Sequence, residues 1–233
     1  KTRQAISDNN YLLEKIAVER IREEFVKLGL GPGSRQGIKE FLATDLQQYV
    51  PGLAAKKSLL QNYLSLEFLP ATEELFWAVI VVLIQLTNSE IKPFLRKWKN
   101  SNQIIKQVAE IVEFFDEIGD QTVTNQELYH VNLEIITSTV DLSHILGVPL
   151  NGVVLIDRYR NLPINENKEL AINGKYLLEN FEIASGPRVG QLLQEVTEAV
   201  LNGEVQNDVE NITKYILKVI WVCYDICESE VKN

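Results

Sequence analysis

Apolar residues recur at mixed three- and four-residue steps along most of the chain, the spacing that lines one face of an α-helix. Ile6, Leu12, Leu13, Ile16, Ile21, Phe25 and Leu28 carry this pattern over residues 1–28, and Gly29, Gly31, Pro32 and Gly33 stop it. It resumes at Ser34 with Ile38, Phe41, Leu42 and Leu46, ends at Pro51-Gly52, and returns from Ala55 to about Phe68. Short helices joined by tight turns are therefore predicted. Thr72-Glu73-Glu74 reads as a helix start, with a threonine to cap and carboxylates favoured by the helix dipole, ahead of the apolar run Leu75–Leu86. Ser89 to Gly119 predicts one long helix, and Gly119-Asp120 with the polar residues up to Gln126 predicts the main internal boundary. Beyond it the spacing predicts helices over Glu127–Leu146, Val153–Arg160 and Lys175–Phe181, another from Pro187 to about Gly203, and a last one over Val209–Ile226. The β-branched patch Ile135–Val140 is read as helix, so the predicted fold class is all-α.

The 233 residues, 45% hydrophobic and 24% charged, are enough for two modest domains or one large one. Leu75–Leu86 is far shorter than the roughly 20 apolar residues that cross a bilayer, so it is expected to be a core helix and no membrane association is expected. Cys223 and Cys227 stand four apart without nearby histidines and read as buried thiols, and no secretory signal stretch is present, so the cytoplasm is the expected location. Asn211-Ile212-Thr213 matches a glycosylation acceptor that a cytoplasmic chain would not use. The chain starts at Lys1, already in helical register, and contains no methionine, which reads as a segment of a longer protein.

Net charge is −9, so the chain as a whole repels phosphate and needs a segregated basic surface to bind nucleic acid. It contains no Gly-rich phosphate loop with its lysine, no Gly-x-Ser-x-Gly and no His-Glu-x-x-His. His130 and His144 read as helix-face residues, and Asp116, Glu117 and Asp120 as solvated charge rather than a magnesium site. The segment Lys92–Lys106 departs from the acidic background with five basic residues and no acid. On a single helix Lys92, Arg96, Lys99, Gln103 and Lys106 would form one stripe, opposite Phe94, Leu95, Trp98, Ile105 and Val108. Such a ridge suits a sugar–phosphate backbone, although a plain solvated face has the same composition. Ser185-Gly186-Pro187-Arg188-Val189-Gly190 is expected to open a helix, either as a tight packing element or as a phosphate site with Arg188 adding charge. Gly190 would let another backbone come close, and Arg20 and Glu24, four apart, would form an intrahelical ion pair.

Three separated blocks resemble the bacterial CCA-adding enzymes and the related poly(A) polymerases. The stretch from Lys1 to Leu28, with Glu19-Arg20-Ile21-Arg22-Glu23-Glu24-Phe25, is similar to the later part of that family's neck. Arg35-Gln36-Gly37 with Tyr49-Val50-Pro51-Gly52-Leu53 resembles the start of its body. Leu162-Pro163-Ile164, Leu170-Ala171-Ile172-Asn173-Gly174-Lys175-Tyr176-Leu177, Gly186–Gly190 and Val200-Leu201-Asn202-Gly203-Glu204 resemble its tail. The resemblance implies a neck remainder over 1–30, a body over 31–120 and an RNA-binding tail over 121–233. It also implies that the catalytic head, whose Asp-x-Asp carboxylates hold metal ions, and the base-selecting Glu-Asp-x-x-Arg neck motif lie outside these residues. No catalytic residue or cofactor is thus expected in this chain; Mg2+ with CTP and ATP is expected for the parent enzyme. The expected partner is tRNA, held by its acceptor and T arms, not DNA, with Lys92, Arg96, Lys99, Lys106, Lys175 and Arg188 as candidate RNA contacts and Arg20 with Glu24 as a structural brace of the neck. The alternatives are the same region of a poly(A) polymerase and a helical interaction protein without a head.

Overall fold

The computed structural model describes residues 2–118, 123–181 and 183–218, which form helices and turns and, among the described residues, no strand. The all-helical expectation holds, including at Ile135–Val140, which lies inside a helix. Among the described residues, no helix is long and apolar enough to cross a membrane.

The chain divides into two compact units. The first takes residues up to 118 together with Leu133–Gly152, and the second takes Val123–Asn132 together with residues 153–218. The first unit contains α1 (Thr2–Asn9), α2 (Val18–Leu30), α3 (Ser34–Ala43), the short α4 (Lys57–Leu60), α5 (Glu73–Leu83), α6 (Asn88–Lys97) and α7 (Asn102–Ile118). The second begins with α8 (Asn125–His130), after which the chain returns to the first unit for α9 (Leu133–Leu146). The second unit then continues with α10 (Gly152–Arg160), α11 (Gly174–Asn180), α12 (Pro187–Leu201) and α13 (209–218). A sequence boundary near residue 120 therefore misplaces α9. Ile135, Ile136 and Leu142 are buried in the first unit because α9 packs on α5 and α7, a long-range pairing that local periodicity does not contain.

Helix α5 is the centre of the first unit. Thr72 caps it by accepting from the Leu75 N–H, and Glu73 and Glu74 occupy its first turn as predicted. Phe76, Trp77, Ala78, Val79, Ile80 and Val81 are all fully buried, so this helix is apolar on every side because α2, α7 and α9 cover it. Phe25 of α2 joins the core through ring contacts at 5.1 Å to Phe41, 5.2 Å to Phe76 and 5.0 Å to Trp98. Gly29 lies inside α2 rather than at its end, and a Cβ there would meet Phe76 Cε2 at 2.1 Å. The helix stops at Gly31.

Three long helices predicted from periodicity are broken, one of them Glu127–Leu146, which is interrupted at the extended Val131 and at Asn132 between α8 and α9. Residues 1–28 are not continuous: α1 gives way to a 3-10 turn over Asn10–Lys15, and Ile16 is extended at φ −95°, ψ 138°. Likewise the Ser89–Gly119 pattern is split at Trp98–Ser101 into α6 and α7. Spacing of apolar residues survives a tight turn when both helices feed the same core, so periodicity alone overlooks such breaks.

In the second unit Leu128, Leu155, Ile164, Ile172, Leu177, Leu192, Val196, Ile212 and Ile216 are buried. Side-chain amides fasten the loops to this core: Asn125 Nδ2 donates to the Leu201 carbonyl at 2.8 Å, and Asn207 bridges the Glu169 carbonyl and the Ala171 N–H, both at 2.8 Å. Gly186-Pro187 opens α12 as predicted, with Pro187 at its first position, where no N–H is required. Cys223, Cys227 and Asp120 lie outside the described residues.

Candidate nucleic-acid interface

The acid-free segment Lys92–Lys106 folds as a helix–turn–helix, not as one helix with a stripe. A capping box starts α6: the Thr87 N–H donates to Glu90 Oε2 at 2.9 Å, and the Thr87 hydroxyl to the same oxygen at 2.7 Å. These two bonds, the backbone one first, hold the Glu90 carboxyl below the usual carboxylate range. The far end of α6 closes as a Schellman motif. Lys99 takes the left-handed conformation at φ 57°, its N–H bonds to the Arg96 carbonyl at 2.9 Å, and the Asn100 N–H bonds to the Leu95 carbonyl at 3.2 Å. Asn100 is buried, and its side-chain Nδ2 also donates to the Leu95 carbonyl at 3.3 Å. Ser101 then caps α7, its hydroxyl accepting from the Ile104 N–H at 3.3 Å.

This corner sets which side chains face water. Trp98 is fully buried in the ring cluster, 5.0 Å from Phe25 and 5.1 Å from Trp77, and anchors the turn from below. Lys92, Arg96, Lys97, Lys99 and Lys106 are exposed, as are Ser101, Asn102 and Gln103. The helix break overturns the single-stripe geometry but keeps the predicted basic residues on the surface. It adds Lys97, which a continuous-helix projection leaves off the stripe, and it places the positive end of the α7 dipole in the same turn. The sequence signal for the break is Lys99-Asn100-Ser101-Asn102, a polar run whose Ser and Asn residues favour caps and turns.

The candidate cations of the second unit have a different electrostatic setting. Lys175 pairs with Glu179 at 3.7 Å, and Arg188 with Glu195 at 3.4 Å. In the first unit Lys106 pairs with Glu110 at 3.6 Å, whereas no ion pair among the described residues engages Lys92, Arg96, Lys97 or Lys99. Exposed pairs of this kind are worth about 0–1 kcal/mol and exchange readily for another anion, but each has an acid that an incoming phosphate must displace. Among the candidate cations, those of the α6–α7 corner are therefore the least engaged by acids.

Two expectations are corrected. Arg20 and Glu24 do not pair; Glu24 accepts instead from Lys27 at 2.9 Å, and both Arg20 and Glu24 are exposed. The ion pair that ties α2 to the core helix α5 is Arg22 to Glu73 at 3.4 Å, where Glu73 also accepts from the Trp77 indole N–H at 3.4 Å. Gly190 meets no close backbone among the described residues: a Cβ built there has none of their atoms within 4 Å. Among the described residues, neither histidine belongs to a group that could hold a metal ion. His144 stacks on Phe68 at 3.9 Å, and His130 lies edge-on to Tyr129 at 5.6 Å.

Comparison with known proteins agrees with this architecture. Residues 68–216 match the family described as "tRNA nucleotidyltransferase domain 2 putative", and residues 1–57 match "Probable RNA and SrmB- binding site of polymerase A". The CCA-adding enzyme of Lactobacillus gasseri is 49% identical over 216 residues, 93% of this chain and 54% of that protein. That of Lactobacillus johnsonii is 50% identical over the same shares. The crystal structure of the Bacillus stearothermophilus CCA-adding enzyme in complex with CTP is similar with a TM-score of 0.86 and 31% identity, covering 97% of this chain and 58% of that one. The chain thus spans about half the length of the curated relatives it matches. With residues 68–216 matched and the helical architecture shared with a solved CCA-adding enzyme, the chain belongs to the tRNA nucleotidyltransferase domain 2 family.

Proposed function

We propose that this chain is the tRNA-holding part of a CCA-adding tRNA nucleotidyltransferase of the cytoplasm, gripping the acceptor and T arms through their backbone. The observation that carries the reading is the 49% identity to a CCA-adding enzyme across 93% of the chain. The α6–α7 corner supports it physically. Cationic groups free of intramolecular acids neutralise phosphates and release counterions whatever the base sequence, as an enzyme serving many tRNAs requires. In this reading the parent enzyme transfers CMP and AMP from CTP and ATP with Mg2+. Among the described residues, no three of His, Cys, Asp and Glu converge as a metal site.

The match of residues 1–57 to a domain named for polymerase A keeps a poly(A)-adding parent as the second reading. Incorporation of CTP by the full-length enzyme separates the two, because poly(A) addition uses ATP alone. The test of the binding role is a salt series of tRNA affinity for this chain against the K92E/R96E/K97E/K99E variant. The expected result is a steep salt dependence in the wild type, flattened in logarithmic slope by roughly 0.7–0.9 for each phosphate that the variant no longer neutralises. A wild-type chain that ignores tRNA at low salt refutes the reading.

A further inference from the structure

The second unit holds a cavity of about 590 Å3 between α8, the 163–173 loop and α12, a volume within the range of small-molecule sites. Leu170, Ile172 and Leu193 contribute apolar surface to it. Glu198 stands in its wall with one carboxylate oxygen, Oε1, held by two amides, Gln126 Nε2 at 2.9 Å and Gln194 Nε2 at 3.1 Å. Tyr129 closes another side, its hydroxyl donating to Asn167 Oδ1 at 2.7 Å, with His130 beside it.

Gly190 supplies the second, independent observation. It is the fourth residue of α12, where glycine costs up to about 1 kcal/mol relative to alanine. Among the described residues nothing lies within 4 Å of a Cβ built there, so no packing neighbour requires its smallness. What it faces is the cavity, and any larger side chain would enter that space.

We infer that this cavity receives an unstacked, amino-bearing base of the RNA, an inference that rests on the tRNA-holding reading above. A phosphate does not suit it: Glu198 is in the wall, Lys168 at the rim is tied to Glu166 at 2.5 Å, and Glu169 and Glu166 act on Tyr129 strongly enough to help raise its pKa, after burial. A base suits it for the complementary reason. Glu198 offers a carboxylate acceptor to an exocyclic amine, the apolar wall takes a ring face, and the tyrosine and histidine offer stacking surfaces. The basic corner of the first unit thus reads backbone, and this cavity reads one base.

The experiment compares tRNA binding over a salt series for wild type, Gly190→Leu and Glu198→Gln, with cytidine, adenosine and uridine titrated separately against the Tyr129 and His130 resonances. Gly190→Leu fills the space while favouring the helix, so its thermal midpoint should equal or exceed wild type as tRNA affinity falls about tenfold. Its salt slope should not change, because the cations that meet phosphate are untouched. Cytidine and adenosine should shift the two ring resonances and uridine, which lacks the amine, should not; Glu198→Gln should abolish the response. Wild-type affinity in Gly190→Leu, or a weaker affinity accompanied by a flatter slope, overturns the base site and leaves the tRNA-holding reading intact. No tRNA binding by the wild type overturns both.

Discussion

Gly29 and Gly190 both lie within helices, yet the structure gives the same substitution opposite signs at the two positions. At Gly29 an alanine Cβ would stand 2.1, 2.4 and 2.7 Å from three ring atoms of Phe76. Carbon atoms rest at about 3.5–4.0 Å, so the ring would have to retreat by more than about 1 Å. It has nowhere to go: Phe76 is fully buried, with Phe25 at 5.2 Å, Trp77 at 5.5 Å and Tyr63 at 6.4 Å, and Tyr63 donates its hydroxyl to the Gly29 carbonyl at 3.0 Å. Overpacking of this kind costs about 1–3 kcal/mol, and a rigid, enclosed ring puts it at the upper end. The gain in helix propensity returns about 1 kcal/mol, so Gly29→Ala should destabilise the first unit by about 2 kcal/mol. Gly190→Ala meets no neighbour among the described residues and should stabilise the second unit by about 1 kcal/mol. Urea unfolding followed by circular dichroism measures both, as midpoint shifts at unchanged slope. A Gly29→Ala variant as stable as wild type would show that α2 and α5 are not packed as described.

Three further outcomes follow from local geometry. Lys99 and Gln85 both close helices in the left-handed region, at φ 57° and 56°, so replacing either with glycine should raise stability by roughly 1 kcal/mol in thermal unfolding. Only Lys99→Gly should weaken tRNA binding, and equal affinities for the two variants would remove Lys99 from the interface. The capping carboxylates Glu90 and Glu127 are held below their ordinary value of 4.5, chiefly by the backbone N–H groups of Thr87 and Thr124. Groups lowered in the folded state contribute stability above the unfolded value and lose it as pH falls through the folded one, so stability should decline below about pH 4.5 and the E90Q/E127Q variant should decline less. Arg22→Ala should loosen α2 from α5 more than Arg20→Ala does, because Arg22 pairs with Glu73 while Arg20 is exposed; equal midpoints in thermal unfolding would contradict this.

The helical class, most helix starts and the basic segment are legible in the residue pattern. These are local matters: a threonine before two glutamates caps a helix whatever lies around it, glycine followed by proline opens one, and five cations without an acid over Lys92–Lys106 are visible as composition. The family was legible as well, because its blocks stand in order along the chain. Which partners these elements meet depends on long-range packing. Helix α9 joined the first unit because its apolar face fits against α5 and α7, and Glu24 turned to Lys27 while Arg22 took Glu73, since an ion pair forms with the nearest available charge in space. The break at Lys99–Ser101 was hidden because Trp98 and Ile105 serve the same core on either side of it, keeping apolar spacing intact through the turn. Gly190 shows the limit most directly: whether its missing side chain admits a helix, a backbone or a ligand depends on what stands opposite, and among the described residues that is a cavity whose wall includes a carboxylate held by two amides.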